Sequence, residues 1–108
     1  MINIKLYWDK NFLTGIESSG HSGYAENGSD IICAAVSSLV QALLLGLSEV
    51  AKVEGLEYEV DAKAPVIKIF WPSKAAEELN ILTRSVALSL KEIAKEQRRY
   101  VKISEYKQ

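Results

Sequence analysis

The sequence predicts an α+β fold in which two helices pack on one face of a single, mainly antiparallel β-sheet. Several short segments alternate apolar and polar residues with a period of two, as strands with one buried face do. Two longer segments instead repeat apolar residues at helical spacing. The segments follow one another in the order ββαββαβ, so we expect a two-layer sandwich and a single domain over residues 1–108.

The N-terminal segment predicts a β-hairpin followed by a long loop. Apolar side chains alternate with mostly polar ones from Ile2 to Trp8, the run Asp9-Lys10-Asn11 indicates a tight turn, and residues 12–18 form the returning strand. The loop over residues 19–29 contains three of the six glycines of the chain. Because glycine is conformationally permissive, we expect this loop to act as a mobile lid.

A long apolar helix is predicted from Ile31 to about Lys52, with Asp30 as its N-cap. Its apolar stripe is so wide that the helix is expected to be buried against the sheet and against a further surface. The remaining elements are two strands, a second helix and a short last strand, at 56–61, 66–71, 74–97 and 100–106. Pro72 ends the sheet, and Ser73 is expected to cap the second helix.

The charge balance and the cysteine count argue against several classes of function. With 13 basic and 14 acidic side chains the net charge is −1, so we expect no direct nucleic-acid binding. The one basic cluster, from Lys95 to Lys102, is simply interpreted as cations near a helix C-terminus. A single cysteine cannot form an internal disulfide, so we expect the protein to work in a reducing cytoplasm. One cysteine and one histidine cannot complete a structural zinc site, so we expect no metal. The apolar run 39–47 is interrupted by Gln41 and is too short to span a bilayer, so we expect no membrane partner.

The only cysteine and the only histidine point to a candidate site. Cys33 lies at the third position of the first predicted helix, and His21 lies in the loop before it. Peptide dipoles and free N–H groups at a helix N-terminus favour a thiolate and could hold the oxyanion of a tetrahedral intermediate. An imidazolium beside the thiol would lower its pKa further. Ser37 and Gln41 continue a polar seam from Cys33 along the helix.

The residues alone leave other interpretations open. A lone cysteine in an apolar helix is usually an inert core residue, and a lone histidine in a loop is usually a solvated one. No general rule makes the spacing of His21 and Cys33 catalytic. Asp30 either caps the helix or orients His21, and the cap requires no further assumption. A reactive thiol also serves acyl transfer or redox sensing, although the chain has no second cysteine to resolve a disulfide.

The run from Gly20 to Gln41, GHSGYAENGSDIICAAVSSLVQ, resembles the signature of the ribosomal-processing cysteine proteases, the Prp family. In that family a Gly-His pair and a glycine loop precede the block Asp-Ile-Val-Cys-Ala-Ala-Val-Ser. Gly20 and His21 match the pair, and residues 30–37 match the block, with Ile32 in place of valine. The chain is also similar to the family in length and in the order of its elements.

The resemblance implies a thiol protease in which Cys33 is the nucleophile and His21 the general base and acid, with Gly20, Asp30 and Ser37 in support. It implies a homodimeric endopeptidase without a cofactor that removes a short, apolar and aromatic N-terminal extension from a large-subunit ribosomal protein. Ribosome assembly would depend on that cleavage. The alternative is a non-catalytic, dimeric α/β interaction module associated with ribosome assembly.

Overall fold

A computed structural model describes residues 1–21, 23 and 30–108. The elements in this part of the chain are β1 (Ile2–Asp9), β2 (Phe12–Ser19), α1 (Ile31–Leu45), β3 (Glu57–Asp61), β4 (Val66–Phe70), α2 (Ser73–Ala76), α3 (Asn80–Glu96) and β5 (Val101–Lys107). The predicted α+β class and the predicted order of strands and helices are confirmed. The predicted lid lies largely outside the described residues.

The strands form one mixed sheet in the order β3-β4-β2-β1-β5. Three neighbouring pairs are antiparallel, whereas β1 and β5 run parallel, with Ile2 opposite Val101. The sheet is therefore mainly antiparallel, as predicted. The N-terminal strand β1 is an interior strand, and the edges of the sheet are β3 and β5.

The core lies between the inner face of the sheet and the helices. The side chains that are fully buried there come from strands and helices alike: Ile2, Ile4, Leu6, Leu13, Ile16, Val40, Leu43, Ile69 and Leu90. Each of them contributes about 1.5–3 kcal/mol through loss of contact with water. Trp71 is also buried, and its Nε1–H donates to the carbonyl oxygen of Leu13 at 2.8 Å, which joins the end of β4 to β2.

The first helix is longer than α1 alone, because a π-helical turn over Gly46–Val50 continues it. The whole helix, Ile31–Val50, has 20 residues and a mean hydropathy of 2.1, so by length and composition it could cross a membrane, unlike the run 39–47 considered alone. A core helix of a soluble protein can have the same length and composition, and here one side of the helix packs in the core. The other side leaves Ile31 and Leu45 exposed by 67% and 60%.

The second predicted helix is divided into a short α2 and a long α3. The prediction that Ser73 caps it is wrong, because Pro72 occupies the N-cap position and makes no side-chain cap bond. The hydroxyl of Ser73 donates to Oδ2 of Asp9 instead, at 2.5 Å. This contact ties the start of α2 to the turn between β1 and β2.

Candidate active site

The first turn of α1 is positioned by Asp30, as predicted. Oδ1 of Asp30 accepts hydrogen bonds from the N–H groups of Ile32 and Cys33, both at 3.0 Å, and the residue is buried. Its carbonyl oxygen accepts the N–H of Ala34 at 3.1 Å. The assignment of Asp30 as the N-cap is therefore confirmed.

The same hydrogen bonds occupy the N–H groups that were expected to bind the oxyanion of a tetrahedral intermediate. The N–H groups of Ile32, Cys33 and Ala34 all donate within the protein and are not free to hold an oxyanion. The expectation that N–H groups at the start of this helix are free to hold the oxyanion is therefore wrong for these three groups. A tetrahedral intermediate formed at Cys33 requires other donors, or a movement of the Asp30 carboxylate.

The Cys33 thiol is partly buried. Burial raises the pKa of this thiol, and the negative charge of Asp30 raises it further. The prediction of a lowered pKa, which rested on the helix dipole and a neighbouring imidazolium, is therefore wrong in direction for this structure. In the structure desolvation is the larger cause of the raised pKa and the charge of the cap carboxylate is the second, so both favour the neutral thiol over the thiolate.

Cys33 lines a small cavity of about 50 Å³ at the end of the sheet where β2 ends and β4 begins. Its walls are formed by β1, β2, α1 and the start of β4: Ile2, Ser18, Ser19, Gly20, Cys33, Val36, Ser37, Pro65 and Ile67. Three predicted site residues, Gly20, Cys33 and Ser37, are thus brought together. The Ser37 hydroxyl accepts a hydrogen bond from Nε2 of Gln41 at 2.7 Å, which confirms the polar seam along α1.

Gly20 lies where three chain segments meet. Its φ of +90° belongs to the left-handed region that favours glycine, and its N–H donates to the carbonyl oxygen of Pro65 at 3.1 Å. A Cβ at this position would lie 2.5 Å from the carbonyl oxygen of Met1. Glycine is therefore required for the end of β2 to approach the starts of β1 and β4.

His21 follows Gly20 directly, and its main chain is anchored because the Met1 ammonium donates to the His21 carbonyl oxygen. Its side chain is exposed, and His21 is absent from the described residues that line the cavity. The structure thus holds the main chain of His21 beside Gly20 without bringing the imidazole into the cavity. Catalytic hydrogen bonds often tighten only when substrate binds, so this geometry does not argue against a role for His21.

Most of the cavity wall was not predicted from the sequence. Ser18 and Ser19 reach Pro65 and Ile67 because β2 pairs with β4, with Ser18 opposite Ile67. Alternation of apolar and polar residues identifies strands but not which strands pair, so no signal in the sequence pointed to these residues. Within residues 1–21, 23 and 30–108, no three His, Cys, Asp or Glu side chains are grouped so that they could hold a metal ion.

Residues 1–102 match a protein family described as cysteine protease Prp. Among solved structures, SMU.848 from Streptococcus mutans has a TM-score of 0.85 and 28% identity, over 100% of this chain and 96% of that one. The ribosomal processing protease Prp from S. aureus, solved with a covalently linked product peptide, has a TM-score of 0.84 and 19% identity. That match covers 97% of this chain and 99% of the other, and at this identity it shows a shared fold. No curated protein matches the chain.

Substitutions of Asp30 separate its cap from its charge. Asp30→Asn keeps an oxygen acceptor for the N–H groups of Ile32 and Cys33, so its free energy of unfolding should be preserved, whereas Asp30→Ala should lose about 1 kcal/mol. Both variants remove the negative charge that raises the Cys33 pKa. The pH midpoint of alkylation by iodoacetamide should therefore fall in both. Urea unfolding and alkylation rates measure the two effects, and an unchanged midpoint in both variants would refute the electrostatic role of Asp30.

Alanine at Gly20 should destabilise the protein more than alanine at Gly23. Both glycines have positive φ values, +90° and +78°, so both substitutions introduce backbone strain of about 1 kcal/mol or more. A Cβ at Gly23 meets no atom of residues 1–21 or 30–108 within 4 Å. At Gly20 a Cβ meets the Met1 carbonyl, which should add about 1–3 kcal/mol. Urea denaturation of the two variants isolates the steric contribution, and equal losses would contradict the close approach at Gly20.

Proposed function

Because this chain belongs to the family of cysteine protease Prp, we propose that it is the endopeptidase that removes a short N-terminal extension from a large-subunit ribosomal protein. One observation carries the proposal. Cys33, which lies in the block 30–37 that resembles the family signature, lines a cavity at the first turn of α1. The S. aureus protease of the same fold is an essential ribosomal processing protease, solved with substrate and product peptides. The cleavage would take place in the cytoplasm, where a single thiol stays reduced, and would allow ribosome assembly.

The chemistry follows the course of a thiol protease. Because its raised pKa keeps the Cys33 thiol protonated, attack on the scissile carbonyl requires a base, and the His21 imidazole takes this proton as the S–C bond forms. His21 then gives the proton to the leaving amine as the C–N bond breaks, which leaves a thioester on Cys33. Water hydrolyses the thioester while His21 takes one of its protons and returns it to the departing thiolate.

The cavity beside Cys33 favours an apolar substrate that lies across the surface. Ile2, Val36 and Ile67 are apolar residues in its wall, which suits an apolar group of the peptide. A volume of about 50 Å³ accepts only part of one side chain, so the rest of the peptide must bind outside it. This fits the short apolar extension proposed as the substrate.

Purified protein should cleave a peptide that spans the junction between extension and mature ribosomal protein, as followed by mass spectrometry. Cys33→Ser and His21→Ala should each lower kcat/KM by at least about a thousandfold, because either loss removes the nucleophile or the base. The exposed position of His21 means that its variant should keep the thermal midpoint of the wild type. Ser89→Ala, on the exposed side of α3, is the matched control and should retain full activity.

Retained cleavage in Cys33→Ser would refute the role of the thiol. A folded wild-type protein that binds the same peptide tightly without cleaving it would favour the non-catalytic interaction module instead. The two outcomes are distinguished by measuring peptide binding and cleavage on the same preparation.

We also propose that a second copy of the chain covers the outer face of α1. Ile31 and Leu45 are exposed at the two ends of this face, and the residues at helical spacing between them include Ala34, Ser38 and Ala42. Small residues allow two helix backbones to approach closely. An antiparallel pair related by a two-fold axis near Ser38 would place each Leu45 against Ile31 of the other copy.

Leu45→Glu should therefore weaken dimerisation by about 30-fold or more, because a carboxylate buried in an apolar interface costs about 2 kcal/mol or more. Leu88→Glu is the matched control, since Leu88 is exposed by 51% but lies on α3. Sedimentation equilibrium measures both. A wild-type chain that is monomeric at high concentration, or a dimer disrupted by the substitution of Leu88 and not of Leu45, would contradict this interface.

A further inference from the structure

A basic groove lies between α3 and the ends of β1 and β5, away from Cys33. Its volume is about 350 Å³. Four cationic side chains line it, and they come from the turn after β1, from α3 and from β5: Lys10, Arg84, Lys91 and Lys107. Trp8, Asn11 and Glu105 complete the wall.

One of the four cations is neutralised inside the groove. Nζ of Lys91 lies 3.3 Å from Oε1 of Glu105, and the same oxygen accepts a hydrogen bond from Nε1 of Trp8 at 2.9 Å. Lys91 also lies over the Trp8 ring, 6.0 Å from its centroid. This cluster fixes the indole and the Lys91 side chain as one wall of the groove.

The other three cations have no carboxylate partner within the described part of the chain. Lys10, Arg84 and Lys107 are exposed, and none of them forms an ion pair there. The nearby Asp9 carboxylate accepts a hydrogen bond from Ser73. Four cations and one anion give the groove a net charge of +3, although the whole chain has a net charge of −1.

The positive charge continues from the groove along one edge of the molecule. Arg84, Lys91 and Lys95 are spaced by seven and four residues on α3, so they share one side of the helix. On the edge strand, Lys107 and Lys102 are both exposed, but their separation of five residues places them on opposite faces of the sheet, so only Lys107 lines the groove. The cations on α3 therefore form a row that begins in the groove, and Lys107 lies at the groove on β5.

We propose that this groove binds the phosphate backbone of single-stranded RNA. Proteins bind single strands through a positively charged groove that follows the backbone, together with aromatic side chains. Lys10, Arg84 and Lys107, which form no ion pair with the described residues, suit successive phosphates, and the half-buried Trp8 and the Asn11 amide line the groove beside them. A lipid surface requires apolar side chains that insert into it, and apart from Trp8 the groove lining offers none.

The groove and the Cys33 cavity can be occupied at the same time. Ile2 lines the cavity and Trp8 lines the groove, so about 20 Å of β1 separate them. RNA is preferred to other polyanions partly because of the proposed function, since the proposed substrate is a ribosomal protein, whose own ligand is RNA. Binding itself does not depend on proteolysis.

The test uses the full chain carrying Cys33→Ser and a fluorescein-labelled oligouridylate of about 12 nucleotides. Fluorescence anisotropy between about 50 and 200 mM salt gives the affinity and its salt dependence. Arg84→Gln/Lys107→Gln removes two phosphate contacts, so the logarithmic salt slope should decrease by about 1.4 and the affinity at 0.1 M salt should fall about 25-fold. Lys52→Gln/Lys63→Gln makes the same change of charge before and after β3, the strand at the opposite edge of the sheet. The RNA affinity of this control should stay within about twofold of that of the parent protein.

Absence of binding by the parent protein at the lowest salt would overturn the proposal, as would equal losses in the two double variants. Competition by oligoglutamate as strong as by unlabelled RNA, or binding only to vesicles that contain phosphatidylserine, would assign the groove to a different partner and reject RNA. If the Arg84 variant fails to fold, Lys10→Gln/Lys107→Gln gives the same comparison. Peptide cleavage by the wild type is measured in parallel, so that RNA binding without cleavage rejects only the proposed protease function.

Discussion

The two hydrogen bonds that the Asp30 carboxylate accepts from the first turn of α1 position the candidate nucleophile. They determine where the helix begins, and hence where Cys33 lies relative to the ends of β2 and β4. The same carboxylate raises the pKa of the thiol that it positions and occupies the Cys33 N–H. Stability and thiolate formation therefore make opposite demands on one side chain. In the proposed mechanism a separate base, His21, would meet both demands by taking the proton only when the thiol attacks.

Features that depend on neighbouring residues could be predicted from the sequence, and features that depend on distant ones could not. The order of the elements and the Asp30 cap follow from alternation, helical spacing and a short-range side-chain bond. The prediction that Ser73 caps a helix was wrong, because the Ser73 hydroxyl bonds to Asp9, which lies 64 positions away in the chain. The family resemblance identified Gly20, Cys33 and Ser37, but the other walls of the cavity depend on the pairing of β2 with β4. The direction of the Cys33 pKa shift depends on burial, which the sequence does not give.

A nearly neutral chain can still carry strongly charged surfaces, because the strand order separates the charges. Glu57, Glu59 and Asp61 are exposed on the edge strand β3, whereas Lys102 and Lys107 are exposed on β5 at the opposite edge. The net charge of −1 therefore averages two edges of opposite sign. Such a distribution gives the molecule a preferred orientation when it approaches a polyanion.

The parallel pairing of β1 with β5 has a consequence for synthesis of the protein. Ile2 pairs with Val101, so β1, one of the first strands to leave the ribosome, cannot complete its hydrogen bonds until β5, the last strand of the described fold, has been synthesised. Until then β1 is an open edge, with unpaired N–H and C=O groups that can recruit another chain. Closing so long a loop also slows folding. A nascent chain thus contains Cys33 long before the sheet bordering its cavity is closed.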